Sequence, residues 1–500
     1  MKTKKDANNH SPLYHENHKK PITRRDFLSQ GFLSGLAMCS APGLGSILGY
    51  SKNASAAVAD CSTTTTFSGM IPFIGFDLAG GANIAGSNVI VGGPGGQQDL
   101  LSLEAYEKLG LPSDMAPQMP GQINTDLGLA FHADSAILRG ILSKTSAATQ
   151  ANINGAVLAA RSANDTGNNP HNPIYGINKA GASGDLVSLI GTRNSESGGR
   201  SQSPENLIDV SVRPTRIATP NDAMGLVDTG KLVNLLNQQD ATKVMQTIER
   251  ISAIKLGKIS EDQAIKSLVQ CGYIQSADLV SRYGDPAVLD PASDIELVGG
   301  ANSIFTVDEF NNDELLKIAS VAKLVVNGFA GAGTVEFGGF DYHNDERARG
   351  ENKDFLAGQA IGASLEYAAR LNKPLMTYVF SDGSVAANSS IDNSADGRGK
   401  LGWRGDNSST SSVFFLVYNP LGRPQPIGLT SQQIGFFRPD GSVETSALPI
   451  SNNVGLLAES IVLNYLALHN QTSNFSTVLP NNGLGNAALI DSLIAFQPLV

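Results

Sequence analysis

The chain has a single tryptophan and only three cysteines in 500 residues. So few thiols exclude a disulfide-built scaffold and a cysteine-rich zinc cluster. Charge is also scarce. Asp, Glu, Lys and Arg make up 16% of the chain, against about 25% in ordinary soluble domains. No Lys/Arg-rich run follows the first sixty residues, so nothing supplies the phosphate contacts that nucleic-acid binding needs. There is no heptad array and no internal repeat. With 41% hydrophobic residues and a net charge of −10, the composition is too apolar for wholesale disorder. What the chain does have is glycine, 53 residues of it, together with many Asn and Ser.

The N-terminus reads as an address. Thr23-Arg24-Arg25-Asp26-Phe27-Leu28 is a paired arginine ahead of two apolar residues. Gly31 to Tyr50 is weakly apolar, interrupted by five Gly and one Pro, and so is unlike the ~20 unbroken apolar residues of a membrane span. Ala54-Ser55-Ala56 offers the small-x-small pattern of a signal-peptidase site. These features predict a twin-arginine signal over residues 1–56, a mature chain from Ala57 (or after Ala59), and a flexible lead-in over 57–69. Cys39 follows Met38 and Cys61 follows Asp60, so neither has the small preceding residue of a lipidation site. Cleavage leaves 28 basic and 43 acidic residues, a net charge of −15. The expected compartment is periplasmic or extracellular, reached through the twin-arginine translocase, with no membrane span in the mature chain. Cys61 and Cys271 remain, as one disulfide or as two separate thiols.

Residues 70–500 read as one large α/β domain, with 225–300 as a candidate helical subdomain. Met70–Leu78, Ser135–Ile141, Gly333–Phe340, Pro374–Phe380 and Ser412–Tyr418 are expected strands. Gln150–Ala163, Asp240–Leu256, Asp313–Phe329, Asp354–Leu371 and Val454–His469 carry apolar residues at helical spacing, the last being the expected final helix. Residues 84–98 are Gly-rich loop, and 164–205 read as polar loop. Strands alternating with helices predict a largely parallel, buried sheet. In such sheets, ligands sit beyond the carboxyl ends of the strands.

Polar clusters fall at those ends. Gly338-Gly339-Phe340-Asp341-Tyr342-His343 puts a carboxylate and an imidazole two residues apart. That spacing suits one metal ion or, equally, a capped turn with a hydrogen-bonded histidine. Ser381-Asp382-Gly383 follows another strand. Arg404-Gly405-Asp406-Asn407-Ser408 precedes one. Asp77 to Asn88 forms a Gly-rich loop able to turn backbone N–H groups toward an anion. Asn164 to Pro173 is a hydrogen-bond-rich loop holding Asp165, Thr166 and His171. His132, near Asp134, reads as a core histidine.

In this order the motifs resemble a family of twin-arginine-secreted bacterial proteins related to the alkaline phosphatase and sulfatase superfamily, some members of which are labelled general secretion pathway proteins. The resemblance implies a three-layer sandwich with a helical insertion and a metal-dependent phosphoric or sulfuric ester hydrolase. Asp341 and His343 match the family's Gly-Gly-x-Asp-x-His. Ser381-Asp382-Gly383 stands where the family has Ser-Glu-Phe-Gly. Asn83 and Asn407 stand where it has an Asp and a His. The implied centre is one divalent ion (Zn, Mn, Mg or Ca) on Asp341, His343, Asp382 and Asp406, with Asn83 and Asn407 as neutral oxygen donors. Ser87 and Thr166 are the hydroxyl candidates for nucleophile. The alternative is a non-catalytic exported binding or surface-assembly protein on the same fold.

Overall fold

A computed structural model describes residues 69–163, 169–227, 238–256, 282–283, 285–343 and 347–500. The expected signal segment, Cys61, Cys271, Asp165 and Thr166 lie outside the described residues. The chain divides into two compact units, Thr64–Leu226 with Pro286–Val500, and Met1–Thr63 with Val227–Asp285. Of the second, the structure describes mainly one helix, Gln238–Leu256, where the sequence predicts Asp240–Leu256.

The larger unit is mixed α/β. In chain order its strands are β1 (Phe73–Leu78), β2 (Ile123–Asn124), β3 (Phe131–His132), β4 (Ile153–Ala159), β5 (Val187–Gly191), β6 (Thr215–Arg216), β7 (Ala330–Phe337), β8 (Leu375–Phe380), β9 (Val385–Asp392), β10 (Lys400–Asp406), β11 (Ser412–Tyr418) and β12 (Gln433–Ile434). Eight form one sheet in the order β12-β4-β11-β8-β1-β7-β5-β6. Every pairing is parallel except the two made by β11. β1 sits between β7 and β8, with Phe73 opposite Ala332 on one side and Met376 on the other. All six of its residues are buried, as a central strand covered on both faces requires. The pairs β9–β10 and β2–β3 stand apart from this sheet.

Helices cover both faces. On one, α1 (Ile174–Lys179) and α2 (Val454–Leu468) share a core with Phe73, Tyr378, Phe415 and Leu158. Tyr465 of α2 meets Phe73 edge-on at 6.1 Å. On the other, Val321 and Val325 of the helix Asp313–Val326 close on Gly333 of β7. Beside that helix runs Arg347–Arg370, packed on Ala136–Lys144. At that crossing a Cβ on Gly140 or Gly358 would stand 2.2 or 2.1 Å from a carbonyl oxygen of the facing helix. Glycine is what lets the two backbones touch.

Several expectations are corrected. Ser135–Ile141 is not a strand. The Ser135 side chain accepts the Leu138 N–H and caps the helix Ala136–Lys144, which buries Ile137, Leu138 and Ile141 and leaves Ser143 exposed. Gln150–Ala163 is not a helix. It holds β4, whose seven residues are all buried, so no two-residue alternation marks it. The polar span 164–205 contains α1 and β5. Two short helices, Phe475–Val478 and Ala487–Ser492, follow the expected final one. Among the described residues no helix is long and apolar enough to cross a membrane.

Candidate metal centre

β1, β7 and β8 are neighbours in the sheet, and the loops leaving their carboxyl ends are stitched together. Ser381, just past β8, donates its hydroxyl to the Leu78 carbonyl at 2.6 Å and accepts the Ala82 N–H at 2.8 Å. Asp382 accepts the Gly80 N–H at 2.6 Å. Phe340, past β7, donates its N–H to the Ala79 carbonyl at 3.1 Å. Gly80 and Gly81 take φ values of +130° and +111°, which L side chains rarely adopt, so the tight loop needs glycine there.

The segment after β7 alternates as an extended chain does. Phe340 and Tyr342 are buried, while Asp341 and His343 face outward. β10 brings up Asp406 opposite Val385, and the next N–H, of Asn407, is donated to the Ser384 carbonyl at 2.8 Å. The result is a cluster. His343 Nε2 lies 2.7 Å from Asp341 Oδ1 and 3.9 Å from Asp406 Oδ2. One donor atom from each of the three residues falls within 4.8 Å of the others. The side chains are 62%, 29% and 35% exposed for Asp341, His343 and Asp406, so solvent and solutes reach them.

No protein-family model matches this chain, and no curated protein matches it in sequence. The site is therefore argued from its chemistry.

One imidazole and two carboxylates fit a borderline divalent ion. Tetrahedral ligands about 2.1 Å from an ion stand about 3.4 Å apart, and the observed separations bracket that value.

The other expected residues are placed differently. Asp382 is fully buried and turned to the Gly80 N–H. It is not one of the three clustered residues. The Asn407 side-chain oxygen accepts the Ser409 N–H and hydroxyl, an N-cap and not a position facing the triad. Asn83 is fully buried, and its side-chain oxygen accepts the Ser87 hydroxyl at 2.6 Å. Ser87 is itself buried. A hydroxyl committed in this way, with no base described beside it, lacks the setting of a nucleophile. His132 is a core histidine, with Nε2 at 2.9 Å from the Met115 carbonyl and Nδ1 accepting the Asp134 N–H. Asp134 is drawn away to Arg398 and Lys400. Burial resists its ionisation, but the Arg398 hydrogen bond and the neighbouring cations hold its carboxyl down at about 2. His171 is fully buried, and neither ring nitrogen has a hydrogen-bond partner among the described residues. Burial lowers it to about 4, so the ring is neutral near pH 7.

Two further acids, to which the sequence assigns no role, are buried. Asp77, the last residue but one of β1, accepts the Arg200 and Ser201 N–H groups at 2.7 and 2.8 Å and the Ser201 hydroxyl at 2.8 Å. Burial still pushes its carboxyl up to about 7, with the nearby Asp382 charge adding to the effect. Asp354, on the helix Arg347–Arg370, is raised by burial to about 7 against hydrogen bonds from Asn88 and Tyr342. Asp77 was visible as an acid in an otherwise apolar strand. Asp354 carried no such mark, because it sits among the polar residues that begin an amphipathic helix.

Proposed function

We propose that this chain is an exported bacterial protein with an alkaline-phosphatase-like three-layer sandwich, which holds one divalent cation on Asp341, His343 and Asp406 and hydrolyses a small phosphoric or sulfuric ester. The observation that carries the reading is the convergence of those three side chains at the carboxyl ends of the parallel strands, where open α/β sheets bind ligands. A bound divalent ion supplies Lewis acidity and a water that is acidic near neutral pH. The chain's own residues fix the ligands, and the exposed side of the triad admits the ester. Asp382 holds the Gly80 loop in place from below. With Ser87 buried, water is the nucleophile that this arrangement favours.

Metal analysis of the mature protein, purified without chelator from an exporting host, tests the reading beside Asp341→Ala, His343→Ala and Asp406→Ala. Near-stoichiometric Zn, Mn, Mg or Ca, lost in all three variants, together with turnover of p-nitrophenyl phosphate or sulfate, is the expected result. A well-folded wild type without metal sinks it.

The burial of Ser87 and the neutral Asn83 and Asn407 favour a second reading, a non-catalytic binding or surface-assembly protein on the same fold. Stoichiometric metal with no ester turnover would select it. Intact-mass analysis of the secreted protein reads the Ala56–Ala57 cut and, with and without reductant, the state of Cys61 and Cys271.

A further inference from the structure

The residue between the two adjacent ligands is the most heavily constrained side chain near the triad. Tyr342 is fully buried. Its hydroxyl accepts the Asn83 N–H at 2.7 Å and donates to Asp354 Oδ1 at 3.1 Å. The other oxygen of Asp354 accepts Asn88 Nδ2 at 2.7 Å, and that same amide reaches the Asn83 carbonyl at 2.8 Å. Asn88 is held in turn by the Ser135 hydroxyl at 2.7 Å. The Tyr342 ring lies 6.2 Å from the Trp403 ring. Trp403 belongs to β10, three residues before Asp406. One phenol side chain thus touches the Gly-rich loop, the helix that carries Asp354, and the strand that carries the third ligand.

We propose that Tyr342 is the positioning residue of the triad: its hydrogen bonds to Asp354 and Asn83 and its contact with Trp403 fix Asp341 and His343 against Asp406. The proposal rests on the cation reading above. In an extended segment, consecutive side chains point to opposite sides. Locking Tyr342 inward therefore forces Asp341 and His343 outward together. The Trp403 contact sets how far β10, and with it Asp406, stands from them. Nothing in this role needs Tyr342 to touch the ion or the ester.

The test uses Tyr342→Phe, which keeps the ring and drops both hydrogen bonds. Asn312→Ala serves as a stability control. Its side chain caps the helix Asp313–Val326 by accepting the Glu314 and Leu315 N–H groups, so removing it lowers the melting temperature through the helix end alone. Co²⁺ is titrated into the metal-free proteins and followed by its visible absorption, and amide exchange is measured on the peptide covering Phe340–His343. Tyr342→Phe should bind Co²⁺ about tenfold more weakly, the usual scale for groups that orient ligands. Its absorption bands should shift, and exchange at Phe340–His343 should quicken. Asn312→Ala should melt lower with Co²⁺ affinity and bands unchanged. Wild-type affinity and bands in Tyr342→Phe overturn the proposal, as does an equal affinity loss in Asn312→Ala. If the wild type takes up no Co²⁺, the cation reading falls. The exchange data then decide on the clamp: quickened exchange in Tyr342→Phe upholds it, and unchanged exchange overturns it.

Discussion

Gly80 donates its N–H to the Asp382 carboxylate at 2.6 Å, and its Cα lies against the Asp341 backbone. A Cβ at Gly80 would stand 2.4 Å from the Asp341 nitrogen, and φ there is +130°. Gly80→Ala therefore meets two costs, a strained backbone and a backbone clash that no rotamer relieves. The expected loss is about 3 kcal/mol or more. Cation binding should fall with it, because the clash pushes on a ligand residue. Urea unfolding and Co²⁺ titration of Gly80→Ala check both. A variant as stable as wild type would show that the loop is slack.

Two buried groups should give the protein pH slopes of opposite sign. The Asp77 carboxyl moves from 3.8 up to about 7 on burial. Between these values the folded state keeps a proton that the unfolded state has lost. Its contribution is complete below about pH 4 and is lost as pH rises through 7. His171 moves from 6.5 down to about 4. There the unfolded state takes up the proton first, so stability falls as pH drops from 6.5 toward 4. Unfolding free energies measured from pH 4 to 8 should show this. Wild type minus Asp77→Asn should decline with pH and then level off, and wild type minus His171→Leu should rise. Flat difference curves would mean that neither group titrates in that window.

Ser87→Ala separates the two roles open to that hydroxyl. Its only described partner is Asn83, whose side-chain oxygen would lose a buried donor. That costs about 1–3 kcal/mol. Ester turnover per folded molecule should stay within about twofold of wild type. Loss of turnover by a hundredfold or more at unchanged stability would make Ser87 the nucleophile after all.

The parts of this molecule legible in its sequence are those whose burial is one-sided. Asp313–Val326 presents an apolar stripe and an acidic first turn, and its expected start at Asp313 is the observed one. β11 spans the expected residues, Ser412–Tyr418. Where burial is complete, as in β4, the pattern carries no phase, and Gln150–Ala163 reads as a helix; Ala136–Lys144 keeps a polar side at Arg139 and Ser143, but it is so short that its opening apolar run passes for a strand. The triad was legible as far as its residues: Asp341, His343 and Asp406 were all candidates. What short motifs could not carry is depth. Asp382, Asn83 and Ser87 look equally available in sequence, yet each is buried and bound to a neighbour. Tyr342 was read only as the gap between two ligands, because its partner Asp354 lies on another element.

The buried ion cluster behind Tyr342 makes a prediction about rank. Glu351 is its hub. It accepts Arg347 at 2.6 Å, Lys400 at 2.8 Å and Arg139 at 2.9 Å. Arg347 and Lys400 are themselves almost wholly buried, and Arg347 also lies over the Trp403 ring at 4.5 Å. Glu351→Leu leaves those two cations buried side by side, Lys400 keeping only Asp134 as a carboxylate partner. That is the uncompensated case, costing about 3–5 kcal/mol. Arg347→Met leaves Glu351 two other cations and retains an apolar side chain over Trp403, so it should cost clearly less. Combining the two substitutions should recover part of the Glu351→Leu loss, since one of the stranded charges is gone. Unfolding free energies for the two single variants and the double variant decide it. If Arg347→Met is the worse single variant, or if the double variant is at least as unstable as the sum of the singles, Glu351 is not the residue that neutralises this cluster.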